Sequence, residues 1–283
     1  MYAETRPPSE QVQLPPAVRR LHTPAGLKYG SYAMMLSIVS SIITFIALFP
    51  LLRSIDFESI TSENFFQVLG GLLALLCILG ILGLVVVIFY ILLLYEMYVG
   101  RNEFGEKHAT RVPAALILII LGVIFSIVVP GMAGFGAGYT SGTEAEYTTD
   151  AAEFRNQVAI SSGFGLVGTA AITLGLVFFP LELIAREKRY LLWLAFTLTI
   201  LASVMGFLMT IILLPSEGTL ELQDVLTRST YSSIFSAFSI FGTVVMFLAY
   251  RVTRARILEG EILPVRVPVA QPPPPSAPPP GWG

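Results

Sequence analysis

Glu182 is the one ionisable residue that the sequence places within an apolar segment, between Leu181 and Leu183. A carboxylate in hydrocarbon is costly, so such a residue suggests a proton or cation site. Glu182 also stands near the end of its segment and one turn before Arg186, where an i,i+4 ion pair or contact with headgroups would satisfy it. We therefore predict a structural anchor at Glu182 and keep a proton or cation role as the alternative. Nearby Pro180 has no N–H, so it should leave a helix carbonyl available to another partner.

Other residues that could do chemistry give no recognisable site. His22 and His108 have no Cys, Asp or Glu at a spacing typical of metal ligands, and we expect both on the surface, outside the apolar segments. Their predicted positions argue against a haem held between helices by histidine. There is no phosphate loop ending in Gly-Lys-Ser/Thr, no His-Glu-x-x-His and no clear nucleophile elbow. The sequence predicts no catalytic, cofactor or metal site, no enzyme and no nucleic-acid partner.

The composition indicates that these residues lie in a membrane. Of the 283 residues, 54% are hydrophobic and only 13% charged, and the mean hydropathy is +0.75. Such values are typical of proteins embedded in a bilayer. Cys77 is the single cysteine, so no intramolecular disulfide can form. We predict an all-α integral membrane protein with disordered termini.

Six apolar segments are each long enough to cross the bilayer, since about 20 helical residues span a hydrocarbon core of roughly 30 Å. They cover approximately residues 32–52, 68–95, 113–133, 158–185, 190–214 and 231–250. We divide the chain into a proline-containing arm (1–30), a six-helix transmembrane domain (31–250) and a basic, then proline-rich tail (251–283). Pro113 is expected in the first turn of its helix, where a missing N–H costs nothing.

The distribution of basic residues predicts the orientation. Of the 17 Lys and Arg residues, 14 lie in the two termini and in the second and fourth connections. Basic residues concentrate on the cytoplasmic side of membrane proteins. We expect a multi-pass protein of the cell membrane with both termini in the cytoplasm.

Small residues recur at helical spacing within the apolar segments. Such stripes let helices approach closely in lipid, and their hydroxyls bond across helices or back to carbonyls. Helix packing is the favoured interpretation, and a path for a solute along the hydroxyls is the alternative. The stripes are Ala33, Ser37, Ser40, Thr44 and Ala47; Ser161, Gly165 and Gly168; Ala195, Thr199, Ala202 and Gly206; and Ser232, Ser236, Ser239 and Thr243.

The six segments can also be read as three successive helical hairpins of one orientation. The returning segments contain Gly83-Leu-Val85, Gly175-Leu-Val177 and Gly242-Thr-Val244 at comparable depth. This echo suggests an internal threefold repeat, although a Gly-x-Val match is common in membrane sequences. The inverted repeats of many secondary transporters are not indicated.

The C-terminal tail combines two kinds of sequence. Arg254 and Arg256 suit contact with anionic headgroups, and the proline-rich run that follows should form an extended polyproline II rod. We predict that this rod docks a partner, the alternative being a solvated spacer or an interfacial anchor for the Trp. The candidate docking residues are Pro272, Pro273, Pro274, Pro275, Pro278, Pro279, Pro280 and Trp282.

The leader Gly26-Leu-Lys-Tyr-Gly-Ser31, the six-segment layout and the proline-rich end together resemble an uncharacterised family of archaeal multi-pass membrane proteins. The resemblance implies a prokaryotic cell membrane and transfers no activity and no functional residue.

Two functions remain open at this level. The first is a non-catalytic membrane scaffold or accessory subunit that uses its tails to dock partners. The alternative is a small-solute or ion permease with a path along the small and hydroxyl residues of the bundle. A permease ordinarily needs polar or ionisable groups near the midplane. Only hydroxyls are expected there, so the scaffold is favoured.

Overall fold

The computed structural model describes residues 21–48, 65–128, 151–213 and 222–265. Throughout these ranges the regular structure is helical, as predicted, and six helices are long and apolar enough to cross a membrane. They are α1 (His22–Ile43), α2 (Phe65–Val99), α3 (Glu106–Val123), α4 (Ala151–Phe178), α5 (Arg189–Ile212) and α6 (Leu222–Leu258). Short π-helical turns extend α1 over Thr44–Leu48 and α3 over Ile124–Val128, and 3₁₀ turns cover Gly100–Asn102 and Arg186–Lys188.

Helix α1 begins earlier than predicted, because its inward face begins before the apolar segment. It starts at His22, so residues 22–30 of the expected disordered arm are helical. Pro24 lies in the first turn, where its missing N–H leaves no hydrogen bond unmade. Leu27 and Gly30 are buried on the inward face. Burial of this face compensates for a composition that, read alone, favoured a loop.

Three further boundaries differ from the prediction. Helix α3 starts at Glu106, so Pro113 lies inside the helix instead of in its first turn. Helix α4 ends at Phe178, two residues before Pro180, and not near residue 185. Helix α6 continues past residue 250 to Leu258, so the first basic residues of the predicted tail are helical.

The helices pack in the spatial order α2, α1, α6, α5, α4, α3, with slight contact between α2 and α3. The two helices of each sequence hairpin are therefore neighbours. Hairpins one and three meet through α1 and α6, and hairpins two and three meet through α4 and α5.

One end of the bundle collects most of the described basic residues, and we call it the basic end. The starts of α1, α3 and α5 meet the ends of α2, α4 and α6 there, as contacts between His22 and Glu96 and between Arg111 and Glu182 establish. Core side chains from all six helices are buried toward this end, including Leu27, Leu93, Val112, Val177, Leu192 and Tyr250. The basic residues are Lys28, Arg101, Lys107, Arg111, Arg186, Lys188, Arg189, Arg251, Arg254 and Arg256.

Glycines bring α3 and α4 into backbone contact, forming what we call the glycine seam. A Cβ added at Gly168 would lie 2.6 Å from the carbonyl oxygen of Gly122, and one at Gly175 would lie 2.7 Å from that of Ala115. These approaches are too close for a real side chain. Gly122 and Ala115 are a heptad apart, as are Gly168 and Gly175, so each pair meets once every two turns.

The hypothesis of a threefold repeat can be compared with these packing contacts. Gly242 of α6 faces α5, with an added Cβ 3.0 Å from the carbonyl oxygen of Ala195, much as Gly175 faces α3. Gly83 of α2 has no neighbour within 4 Å of an added Cβ. Hairpins two and three thus share a contact that hairpin one does not make, and the repeat stays a prediction.

Candidate functional site

The turn between α4 and α5, residues 179–185, lies at the centre of the basic end. Pro180 ends the helix, and its carbonyl accepts hydrogen bonds from the N–H groups of both Leu183 and Ile184 at 2.9 Å. Phe179 and Leu183 are almost completely buried. The turn is therefore folded inward as part of the core, in contrast to a loop at a membrane surface.

Glu182 lies on this turn and not within a membrane-crossing helix, which corrects its predicted position. Its carboxylate pairs with Arg111 of α3 and with Arg189, whose Nη2 is 3.5 Å from Oε2. Arg186, the predicted partner, is exposed and makes no ion pair with Glu182. The i,i+4 geometry does not exist here because the helix has ended. An acid held by arginines from two helices is compensated in charge, so the group joins α3 and α5 to the turn.

As predicted, Pro180 leaves a helix carbonyl available to another hydrogen-bond donor. In an α-helix the Leu176 carbonyl would accept the N–H of residue 180, which proline lacks. The hydroxyl of Tyr250, from α6, donates to this carbonyl at 2.9 Å. The Tyr250 side chain is completely buried. An added Cβ at Gly30 would lie 2.7 Å from the Tyr250 ring, so α1 covers its other side.

Arg256 also fastens this turn. Its Nη1 donates to the carbonyl of Leu183 at 2.9 Å, and its Nε donates to Glu261 at 2.6 Å. The sequence suggested that Arg256 contacts headgroups, but in the structure its guanidinium forms hydrogen bonds within the protein. The partner is the carbonyl of a turn 73 positions earlier in the chain, which no local pattern indicates.

His108 is buried, contrary to the predicted surface position, and it lies within a helix long enough to span a membrane. It belongs to the inward stripe of α3, which continues through Val112, Ala115 and Ile119. The stripe has helical spacing, so extending it backwards by one turn would have predicted the burial. Neither ring nitrogen has a hydrogen-bond partner within the described ranges, and the ring meets Phe104 edge-on at 6.0 Å between centroids.

A second polar group fastens the start of α1. The Glu103 carboxylate accepts the backbone N–H groups of His22 at 2.7 Å and Thr23 at 2.9 Å. Glu103 belongs to the α2–α3 connection and caps the N-terminus of α1. Its negative charge also interacts favourably with the positive end of the helix dipole. Nδ1 of His22 lies 2.7 Å from Oε2 of Glu96. The N–H of Val265 donates to the Glu103 carbonyl at 2.8 Å, so the connection also holds the last described residue.

The His22 side chain is 45% exposed, close to the surface position expected, but it begins a helix that is long and apolar enough to cross a membrane. Sequence reasoning missed Glu103 because it acts on residues about eighty positions earlier. Both histidines therefore belong to helices that are long and apolar enough to cross a membrane, contrary to the predicted positions outside such segments.

Several polar groups at the basic end bond to one another, whereas the ring nitrogens of His108 have no hydrogen-bond partner among the described residues. Acids meet arginines or helix N–H groups, and an orphan carbonyl meets a tyrosine hydroxyl. In the part of the chain that the structure covers, no three His, Cys, Asp or Glu side chains are grouped to hold a metal ion. The candidate docking residues Pro272–Pro280 and Trp282 lie outside the described residues.

Comparisons with protein-family models, with curated proteins and with solved structures find no match for this chain, so its function is inferred from its own residues.

Proposed function

We propose that this chain is a non-catalytic multi-pass membrane scaffold or accessory subunit. The observation that carries the proposal is that several hydroxyls of the small-residue stripes are bonded within their own helices. Ser37 donates to the Ala33 carbonyl, Thr44 to that of Ser40 and Thr199 to that of Ala195, each at 2.9 Å. Hydroxyls used in this way serve packing and are less available to a passing solute.

The glycine seam supports the same proposal. Backbone contact at Gly122, Gly168 and Gly175 leaves no room for a path between α3 and α4 at those depths. Glu182, the acid that a transporter would need, is balanced by Arg111 and Arg189. A scaffold requires a rigid bundle and free docking segments, and it requires no unpaired charge in the interior.

We infer that the basic end faces the cytoplasm. The support is that basic residues from all three hairpins lie at this single end, since membrane proteins concentrate their basic residues on the cytoplasmic side. In a variant with Cys77 replaced, cysteines introduced at Ser141 and Ser216 should react with an impermeant reagent in intact cells. One at Ser276 should react only after lysis. Labelling with the opposite pattern would reverse the orientation.

The docking segment is proposed to be the proline-rich tail. Residues 272–280 would extend roughly 28 Å at about 3.1 Å per residue as polyproline II, and such a rod loses little entropy on entering an aromatic-lined groove. Deleting residues 268–283 should leave insertion and melting temperature unchanged and release whichever soluble protein co-purifies. A destabilised bundle, or a partner that stays bound, would contradict docking by the tail.

The permease alternative is favoured by one observation: three residues before Arg111, the buried His108 ring has no hydrogen-bond partner among the described residues. Flux measurements in liposomes separate the two functions. The scaffold proposal expects no pH-dependent ion or solute flux, and it expects Glu182→Gln to lower the melting temperature through loss of an ion pair. The matched control Glu187→Gln, on an exposed residue of the same connection, should change neither. A flux that Glu182→Gln abolishes while the protein stays folded would favour the permease.

A further inference from the structure

A groove opens between α1 and α6 at the basic end, with a volume of about 470 Å³. This size is within the roughly 300–1,000 Å³ typical of small-molecule sites. Three of its lining residues are cationic and four are large and apolar or aromatic. They are Lys28, Arg251 and Arg254, and Tyr32, Met35, Phe247 and Leu258.

The two kinds of residue are separated by depth. On α1, Lys28 precedes Tyr32 and Met35 by one and two turns, and all three share one face. Helix α6 runs in the opposite direction, so Phe247 is deeper in the bundle than Arg251 and Arg254. On both helices, apolar groups thus lie one or two turns further in than the cations, and on α6 Leu258 lies beyond Arg254 at the end of the helix. Tyr32 and Met35 are 39% and 45% exposed, so the apolar part is open to lipid.

The cations of this groove have no carboxylate partner in an ion pair among the described residues. Lys28 lies over the Tyr32 ring at 5.6 Å and Arg251 over the Phe247 ring at 5.7 Å, measured to the centroids. The Nε of Arg254 is buried and has no hydrogen-bond acceptor within the described ranges. Glu259 is the one acid in the lining, so the groove carries a positive excess. Arg251 and Arg254 differ from Arg256, whose guanidinium already donates hydrogen bonds to Glu261 and to the Leu183 carbonyl.

We propose that this groove is a binding site for an anionic phospholipid. The phosphate accepts hydrogen bonds from Lys28, Arg251 and Arg254, and an acyl chain lies along Tyr32, Met35 and Phe247. A guanidinium pair suits the tetrahedral phosphate because each presents several N–H donors. The apolar depth below the cations selects a lipid over a free anion, and α1 and α6, from the first and third hairpins, would be bridged by the bound molecule.

The test measures lipid binding by the full-length protein in mild detergent. Native mass spectrometry and thermal shift are recorded with phosphatidylglycerol, with zwitterionic phosphatidylcholine and with inorganic phosphate. We expect phosphatidylglycerol to remain bound and to raise the melting temperature, with phosphatidylcholine and phosphate much weaker. Arg251→Gln and Arg254→Gln should each weaken phosphatidylglycerol binding about fivefold, as expected for one basic residue near an anionic lipid.

Two variants separate a built groove from diffuse surface charge. Arg101→Gln is the matched control, because Arg101 is at the same end and lies 4.3 Å from the Tyr98 ring centroid, yet does not line the groove. It should bind phosphatidylglycerol like the wild type. Ala255→Leu fills the groove without changing charge, so it should reduce binding while leaving the melting temperature in phosphatidylcholine unchanged.

Several results would overturn the proposal. Equal losses for Arg101→Gln and Arg251→Gln would mean that charge at the whole basic end, and not this groove, attracts the lipid. If the Ala255→Leu variant and the Arg254→Gln variant each bind phosphatidylglycerol like the wild type, the groove is excluded as the binding site. Saturation by inorganic phosphate with no further gain from phosphatidylglycerol would assign the cations to a soluble anion.

Discussion

Gly83-Leu-Val85 in α2 and Gly175-Leu-Val177 in α4 are identical tripeptides in opposite surroundings. Leu84 is 64% exposed, whereas Leu176 is 7% exposed. A Cβ added at Gly175 would meet the Ala115 backbone, and one added at Gly83 would meet nothing within 4 Å. The same three residues thus form part of a helix seam in one hairpin and an open face in the other.

The difference follows from the position of each helix in the bundle. Helix α4 lies between α3 and α5, while α2 is at the end of the row and packs chiefly against α1. Close to the basic end α2 is well packed, with Leu93 and Met97 fully buried. Further from the basic end, the side chains of α2 face outward. In a bilayer this outer face is covered by lipid tails, which are as apolar as leucine.

The largest difference is expected when each of these two glycines is replaced by alanine. Gly175→Ala should destabilise the bundle by about 1–3 kcal/mol, because the new Cβ overlaps backbone that cannot move freely. Gly83→Ala should be neutral or slightly stabilising, since alanine is the better helix former. Apparent melting temperatures in detergent give the comparison. Equal effects at both positions would show that the glycine seam is not a close contact in the folded protein.

A second comparison uses tyrosine hydroxyls. Tyr250→Phe should cost about 1–3 kcal/mol, because it leaves the buried Leu176 carbonyl without its donor. Tyr95→Phe, on a 60% exposed residue of α2, should cost little.

The variant Pro180→Ala sharpens this test. It supplies residue 180 with an N–H, so Tyr250→Phe should be less costly in the Pro180→Ala background than in the wild type. Equal costs in both backgrounds would mean that the Tyr250 hydroxyl does not replace the donor that proline lacks.

The smallest effect is expected for hydroxyls that bond within their own helix. Thr173→Val keeps the shape of a buried side chain and removes a bond to the Thr169 carbonyl. That carbonyl can keep its backbone partner, so the loss should stay below about 0.6 kcal/mol, the mean for hydrogen bonds between membrane helices. The measurement is again the melting temperature, with Gly175→Ala as the reference. A loss as large as that of Gly175→Ala would mean that the hydroxyl bonds to another helix.

Much of the helical plan could be predicted because hydropathy and prolines act locally. The six apolar segments, the all-helical class and the carbonyl freed by Pro180 each depend on residues within one or two turns. The helix starts at His22 and Glu106 were missed because they depend on inward faces that are buried by other helices. Burial by a neighbour outweighed the local preference of proline for a loop or a first turn.

The partners of the polar groups were decided by tertiary structure. Glu182 binds arginines from α3 and α5 instead of the nearest one in sequence. Glu103 caps a helix that starts 81 positions earlier, and the Tyr250 hydroxyl donates to a carbonyl 74 positions away. The sequence by itself determined that there are six apolar helices and that basic residues gather on alternate connections, since both follow from composition along the chain. Which charge meets which, and which glycine meets a backbone, depends on how the helices pack, because such contacts join residues whose separation in sequence carries no periodic signal.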